Sequence, residues 1–187
     1  MAMSATQQHV ERLPFAEVIT LHQRRIYGYL LRFTRNVADA QDLFQETFLR
    51  AYRSYAALPT DADLQAWLMR IAVNLSKNHV RDRQRRVRVL VNEEPKHEQS
   101  PPRIADNSSP TEQTMISRET AQTVLTTIDA LPFHQRTALI QRQFEGLEYD
   151  AIAANLACSP ESARAHVYQA LRKLRVALAV DHQPSES

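Results

Sequence analysis

The sequence predicts an all-α protein made of two small helical domains joined by a flexible linker. Three observations carry this. Only two glycines, Gly28 and Gly146, occur in 187 residues, too few for the turns and bulges of a strand-rich fold. Apolar residues recur at three- and four-residue steps over long stretches. Between two such regions lies a polar, proline-rich stretch with few large apolar side chains.

The first domain spans 10–88. Residues 1–12 are polar and read as a frayed start. Pro14 suits a first helical turn, where its missing N–H costs nothing. Phe15, Val18, Ile19, Ile26, Tyr29, Leu30 and Phe33 then mark one helix. A second runs from about Val37 to Ala57 and ends near Pro59. Within it, Asp42, Gln45, Glu46 and Leu49 fall three or four residues apart and share a face. Leu43, Phe44, Thr47, Phe48 and Ala51 face largely elsewhere. An ordered acid-amide face beside an apolar one is either a solvated surface or a docking surface. A third helix begins near Asp61, with Leu64, Trp67, Leu68, Ile71, Ala72, Leu75 and Val80 as its apolar stripe.

That third helix ends in a cationic strip, with five arginines from Arg81 to Arg88. Cations are favourable at a helix C-terminus, so the bland reading is a solvated helix end. The functional reading is a strip that neutralises phosphates. Upstream lie Asn74, Lys77, Asn78 and His79, whose amides and rings suit base edges and unpaired bases. Trp67 sits on the apolar stripe, where core packing competes with base stacking.

Residues 89–113 read as a flexible acidic linker: the part from 91 on holds four prolines and more acidic than basic residues. The second domain spans 114–180. Gly146 reads as a helix-ending glycine. Tyr149, Ile152, Ala153 and Leu156 fit a short amphipathic helix, and "ACS" a tight connection. Ser159 can cap the next helix, with Pro160 in its first position. Ala163, Val167, Ala170, Leu171 and Leu174 form the buried stripe of that helix. Helix, short turn, helix is the layout of a helix-turn-helix unit, whose second helix enters the major groove. Its other sides offer Ser162, Arg164, Ala165, His166 and Gln169, followed by Arg172, Lys173 and Arg175. Arginine and glutamine can read base edges; serine and the basic run can hold phosphates. The competing reading is a helical hairpin with a solvated basic face.

Taken together, these stretches resemble bacterial RNA polymerase sigma factors of the extracytoplasmic-function class, over about residues 14–180. "DAQDLFQETFLRAY" resembles the segment that binds core polymerase. "LQAWLMRIAVNLSKNHVRDRQRR" resembles the helix that reads and melts the minus-ten element. "IDALPFHQRTALIQRQFEGLEYDAIAANLACSPESARAHVYQALRKLR" resembles the domain that reads the minus-thirty-five element. The resemblance implies sigma domains two and four. It implies that Asp42, Gln45, Glu46, Phe48 and Leu49 lie at or behind the surface gripping the β′ clamp helices, with the β flap as a further contact. It places Trp67, Arg70, Asn74, Lys77, Asn78, Arg81 and Arg85 at the minus-ten element, where a base is flipped out and loop 58–64 helps to hold it. It places Ser162, Arg164, Ala165, His166, Gln169, Arg172 and Lys173 at the minus-thirty-five element. Partners implied are core RNA polymerase, promoter DNA and an anti-sigma factor, in the cytoplasm, nucleoid-associated or held at the membrane by that inhibitor. His79 departs from a frequent tyrosine, and His166 and Gln169 from frequent arginines, so a relative's promoter preference does not transfer.

Other classes fit less of the chain. A stand-alone helix-turn-helix regulator explains 114–180 but not the acid-amide face beside an arginine strip. A protein-only adaptor leaves the basic reading helix unexplained. Seven scattered histidines form no HExxH, and no phosphate-binding glycine loop appears, so neither catalysis nor a metal or cofactor is expected. The lone Cys158 excludes an internal disulfide and reads as a small packed residue in the turn. No signal peptide or bilayer-spanning run is expected.

Overall fold

The computed structural model describes residues 12–90 and 112–181, and side-chain surroundings for 12–87 and 118–179. The described residues form seven helices and no strand. Helix α1 is Phe15–Thr34, α2 Val37–Tyr55, α3 Leu64–Leu90, α4 Glu112–Asp129, α5 Phe133–Gln143, α6 Tyr149–Leu156 and α7 Pro160–Asp181. Residues 1–11 of the stretch read as a frayed start, and most of the linker, fall outside the described residues, while Arg12 is held by the Tyr55 and Leu58 carbonyls.

Local chemistry sets the boundaries. Pro14 occupies the N-cap position rather than the first helical turn, and its carbonyl accepts from the Glu17 N–H at 2.9 Å. Arg35 ends α1 in the left-handed region at φ 54°. Asn36 caps α2 one residue later, its Oδ1 accepting from the Asp39 N–H at 3.1 Å. Asp63 does the same for α3 through the Ala66 N–H at 3.0 Å, so α3 starts at Leu64 rather than Asp61.

In the first half, α1 packs on α2 and α3, and α2 on α3. Val18, Ile26, Tyr29, Leu30 and Phe33 of α1 meet Ala40, Leu43, Phe48, Ala51 and Tyr55 of α2. In the second half, α7 gathers α4, α5 and α6 around Ala163, Val167 and Ala170. The buried side of α3 is wider than its sequence stripe: Met69, Val73 and Ser76 are covered as well as Leu68, Ala72 and Leu75. The cause is tertiary. α6 lies against α3, and α5 against α1 and α3, so buried residues of both halves form one contiguous cluster.

Candidate docking and nucleic-acid interfaces

On α2, Asp42, Gln45 and Leu49 are exposed. Glu46 is half-buried and pairs one turn along with Arg50, Oε1 to Nε at 2.6 Å. Phe48 lies behind this face, with ring centroids 4.9 Å from Phe44 and 6.5 Å from Phe15. Tyr52, three residues past Leu49, is 64% exposed with its ring edge against Phe15. Two large apolar side chains left in water beside an acid-amide face form a mixed surface of the kind partners cover. Sequence reasoning missed Tyr52, although its i+3 spacing from Leu49 was there to read.

On α3, Arg70, Asn74, Lys77, Arg81 and Arg85 are exposed. Their spacing lays cations and an amide along one outward stripe. Asn78 is half-buried, as is Trp67, whose ring lies 6.3 Å from that of Tyr55. Trp67 therefore packs with one flank while keeping another open. His79 turns toward α2, its Nε2 3.6 Å from an Asp39 carboxylate oxygen.

The α6–α7 unit has the sharp turn its sequence suggests. Ala157 takes the left-handed conformation at φ 53°, and the Cys158 N–H reaches back to the Ala153 carbonyl at 3.0 Å. This is the double-bonded helix ending usually built with glycine; an alanine there carries backbone strain. Half-buried Cys158 has its thiol pKa pushed up by burial, which leaves less reactive thiolate. The Ser159 hydroxyl accepts from the Ser162 N–H at 3.2 Å and starts α7. Glu161, in the first turn, has its carboxyl pKa lowered by its own backbone N–H and then by Ser159.

Along α7, Ser162, Arg164, Ala165, Gln169, Arg172 and Lys173 are exposed. Arg164 lies over the Tyr149 ring at 5.1 Å, which steadies its guanidinium near the turn. Gln169 Oε1 accepts from Gln135 Nε2 of α5 at 2.7 Å. His166 is turned inward: it is half-buried, its ring stacked on His134 at 5.3 Å, and its Nδ1 is buried without a partner. It adjoins Val167 and lies one turn from Ala163 on the buried stripe, so its ring follows that stripe. Tyr168, absent from the sequence reading, is 62% exposed between Arg164 and Arg172 at four-residue steps. No described helix is long and apolar enough to cross a membrane.

Comparison with known proteins agrees with this arrangement. The family model Sigma-70 region 2 matches residues 18–86, and Sigma-70 region 4 matches residues 121–174. The chain is 35% identical over 180 residues to the RNA polymerase sigma-H factor of Pseudomonas aeruginosa, covering 92% of this chain and 93% of that protein. It is 31% identical over 166 residues to the ECF RNA polymerase sigma-E factor of Haemophilus influenzae, covering 87% and 86%. In fold it is similar to the sigma factor RpoE of Bartonella quintana, solved with the anti-sigma factor NepR: TM-score 0.68, 23% identity, 90% and 98% covered. It is also similar to CnrH, solved with the cytosolic domain of CnrY: TM-score 0.60, 20% identity, 89% and 88% covered. With both regions matched in order and near-complete relatives on either side, the chain belongs to the extracytoplasmic-function class of RNA polymerase sigma factors.

Proposed function

We propose that this chain is an alternative sigma factor that binds core RNA polymerase and directs it to a particular set of promoters. One observation carries the reading. A single chain exposes three chemically distinct faces in family order: the acid-amide and apolar face of α2, the cationic stripe of α3, and the basic outer side of α7. In this proposal Asp42, Gln45, Glu46, Leu49 and Tyr52 dock on polymerase, with Phe48 supporting them from behind. Arg70, Asn74, Lys77, Asn78, Arg81 and Arg85 hold the melted minus-ten strand beside Trp67. Ser162, Arg164, Ala165, Tyr168, Gln169, Arg172 and Lys173 face the minus-thirty-five element. His166 acts from behind that surface rather than on a base. Domain two covers 10–88 and domain four 114–180.

The Bartonella neighbour is bound to an anti-sigma factor. By analogy, an inhibitory protein silences this chain until a signal releases it, and such an inhibitor could hold it at the membrane.

The test is co-elution of the purified chain with bacterial core polymerase, wild type beside Glu46→Arg. The expected result is a complex with wild type that the variant loses while keeping its helicity. Folded wild type that fails to co-elute would leave a stand-alone helix-turn-helix regulator as the better reading.

A further inference from the structure

We infer that the seam between the two halves is a reversible latch, keyed by Glu145, that keeps the free chain closed. Glu145 follows α5, and its side chain is 6% exposed. One carboxylate oxygen accepts from Arg25 Nε of α1 at 3.0 Å and the other from Arg32 Nη1 at 3.5 Å. Arg25 also donates to the Glu145 carbonyl at 2.6 Å. Arg32 covers the exposed ring of Phe144 at 5.1 Å. Its guanidinium lies over Gly28, where a Cβ would stand 2.9 Å from Nη1, the flexible end of the side chain.

A second clasp stands farther along the seam. Arg35, at the end of α1, donates to the Leu125 carbonyl at 2.6 Å and to an Asp129 carboxylate oxygen. Arg136 donates to the other Asp129 oxygen at 2.6 Å and lies 5.1 Å over the Phe33 ring. Phe33 meets Phe133 edge to face at 5.7 Å.

Between the clasps the seam is apolar core shared by both halves, with a few polar groups set in it. The Tyr29 hydroxyl of α1 faces Ser76 of α3 and Thr137 of α5, all fully buried. Yet neither Tyr29 Oη nor Thr137 Oγ1 has a well-formed hydrogen bond, and Arg136 Nε is also buried without one. Buried polar groups left short of partners regain them in water. The seam is thus apolar inside, with Arg136 Nε buried unpaired, and its specific polar contacts are the ion pairs at the rim.

The consequence for promoter binding rests on the sigma-factor reading. Elements named minus ten and minus thirty-five lie about 25 base pairs apart, roughly 85 Å at about 3.4 Å per pair. A closed body of this size has a radius of gyration of about 15 Å, so it cannot reach both. Residues 91–111 join the halves, and 21 residues span at most roughly 70 Å. The exposed stripes of α3 and α7 stay accessible in the closed form. The latch therefore blocks simultaneous engagement of both elements, not contact with either alone.

The experiment is small-angle X-ray scattering of the free full chain, with circular dichroism to check helicity. Wild type should scatter as one compact body, and Glu145→Arg should raise the radius of gyration above about 20 Å with unchanged helicity. Adding Arg25→Glu and Arg32→Glu to Glu145→Arg should restore compactness. Should Glu145→Arg fail to fold, the shape-conserving Glu145→Gln must still expand the chain partway. The latch is overturned if wild type is already extended, if the folded variant stays as compact as wild type, or if the charge swap does not reverse the expansion. Compaction as expected in a chain that binds no polymerase would sink the sigma-factor reading and leave the latch standing.

Discussion

Phe48 and Leu49 are neighbours in sequence, yet α2 sends one into the core and the other into water. Replacing each by alanine therefore separates folding from docking. Phe48 is 7% exposed and packed between Phe15 and Phe44. A buried Phe→Ala change costs about 3–5 kcal/mol, and the half-buried partner rings can partly close the gap, which favours about 3. For a chain of this size, 1 kcal/mol shifts Tm by about 2–4 °C, so Phe48→Ala should melt about 6–12 °C lower. Leu49 is 51% exposed. Its truncation should change stability by less than about 0.5 kcal/mol. If a partner covers the exposed half, that half contributes about 1–1.5 kcal/mol of apolar burial. Loss of that amount weakens Kd roughly five- to tenfold. Thermal melts followed by circular dichroism, and fluorescence titration against core polymerase well below Tm, measure the two quantities. Unchanged polymerase affinity in Leu49→Ala, or a Phe48→Ala melt within 2 °C of wild type, would refute the division of roles (~1 kcal/mol resolution).

Two further predictions concern charge. Replacing Arg81, Arg83, Arg85 and Arg86 by alanine removes four exposed cations; the slope of log K against log salt for promoter binding should fall by up to about three, at roughly 0.7–0.9 per phosphate contact. An unchanged slope would make the strip a solvated helix end. His134 has its pKa held below its ordinary 6.5 by burial first, then by His166 and by Lys77 across the seam. Folding thus disfavours the charged ring, so stability should fall as pH drops below about 6.5, where the unfolded chain takes up the proton. His134→Gln should flatten the decline in Tm between pH 7.5 and 5.5, although His22, lowered mainly by its own burial, keeps part of it. Parallel Tm profiles would rule out the His134 contribution.

Much of the architecture is local and was therefore legible. Helix periodicity, the Ser159 cap and Pro160 start, and the exposed spacing of Arg70, Asn74, Lys77 and Arg81 all depend on residues within a few turns of each other. So does the tight connection at Ala157 to Ser159, although no rule would have favoured an alanine in its left-handed position. The place of His166 beside the buried stripe was legible, but its stacking on His134 across the α5–α7 contact was not.

The amino-acid order alone determined that the chain is helical and where α6 turns into α7, because those properties come from neighbours three or four positions away. Only the tertiary structure decided that α3 is buried on a wider arc, through Met69, Val73 and Ser76, and that Arg25 and Arg32 serve a carboxylate some 120 positions later. Such contacts carry no periodic signature. They exist because two amphipathic bodies close on each other, and only closure selects which polar side chains meet across the seam.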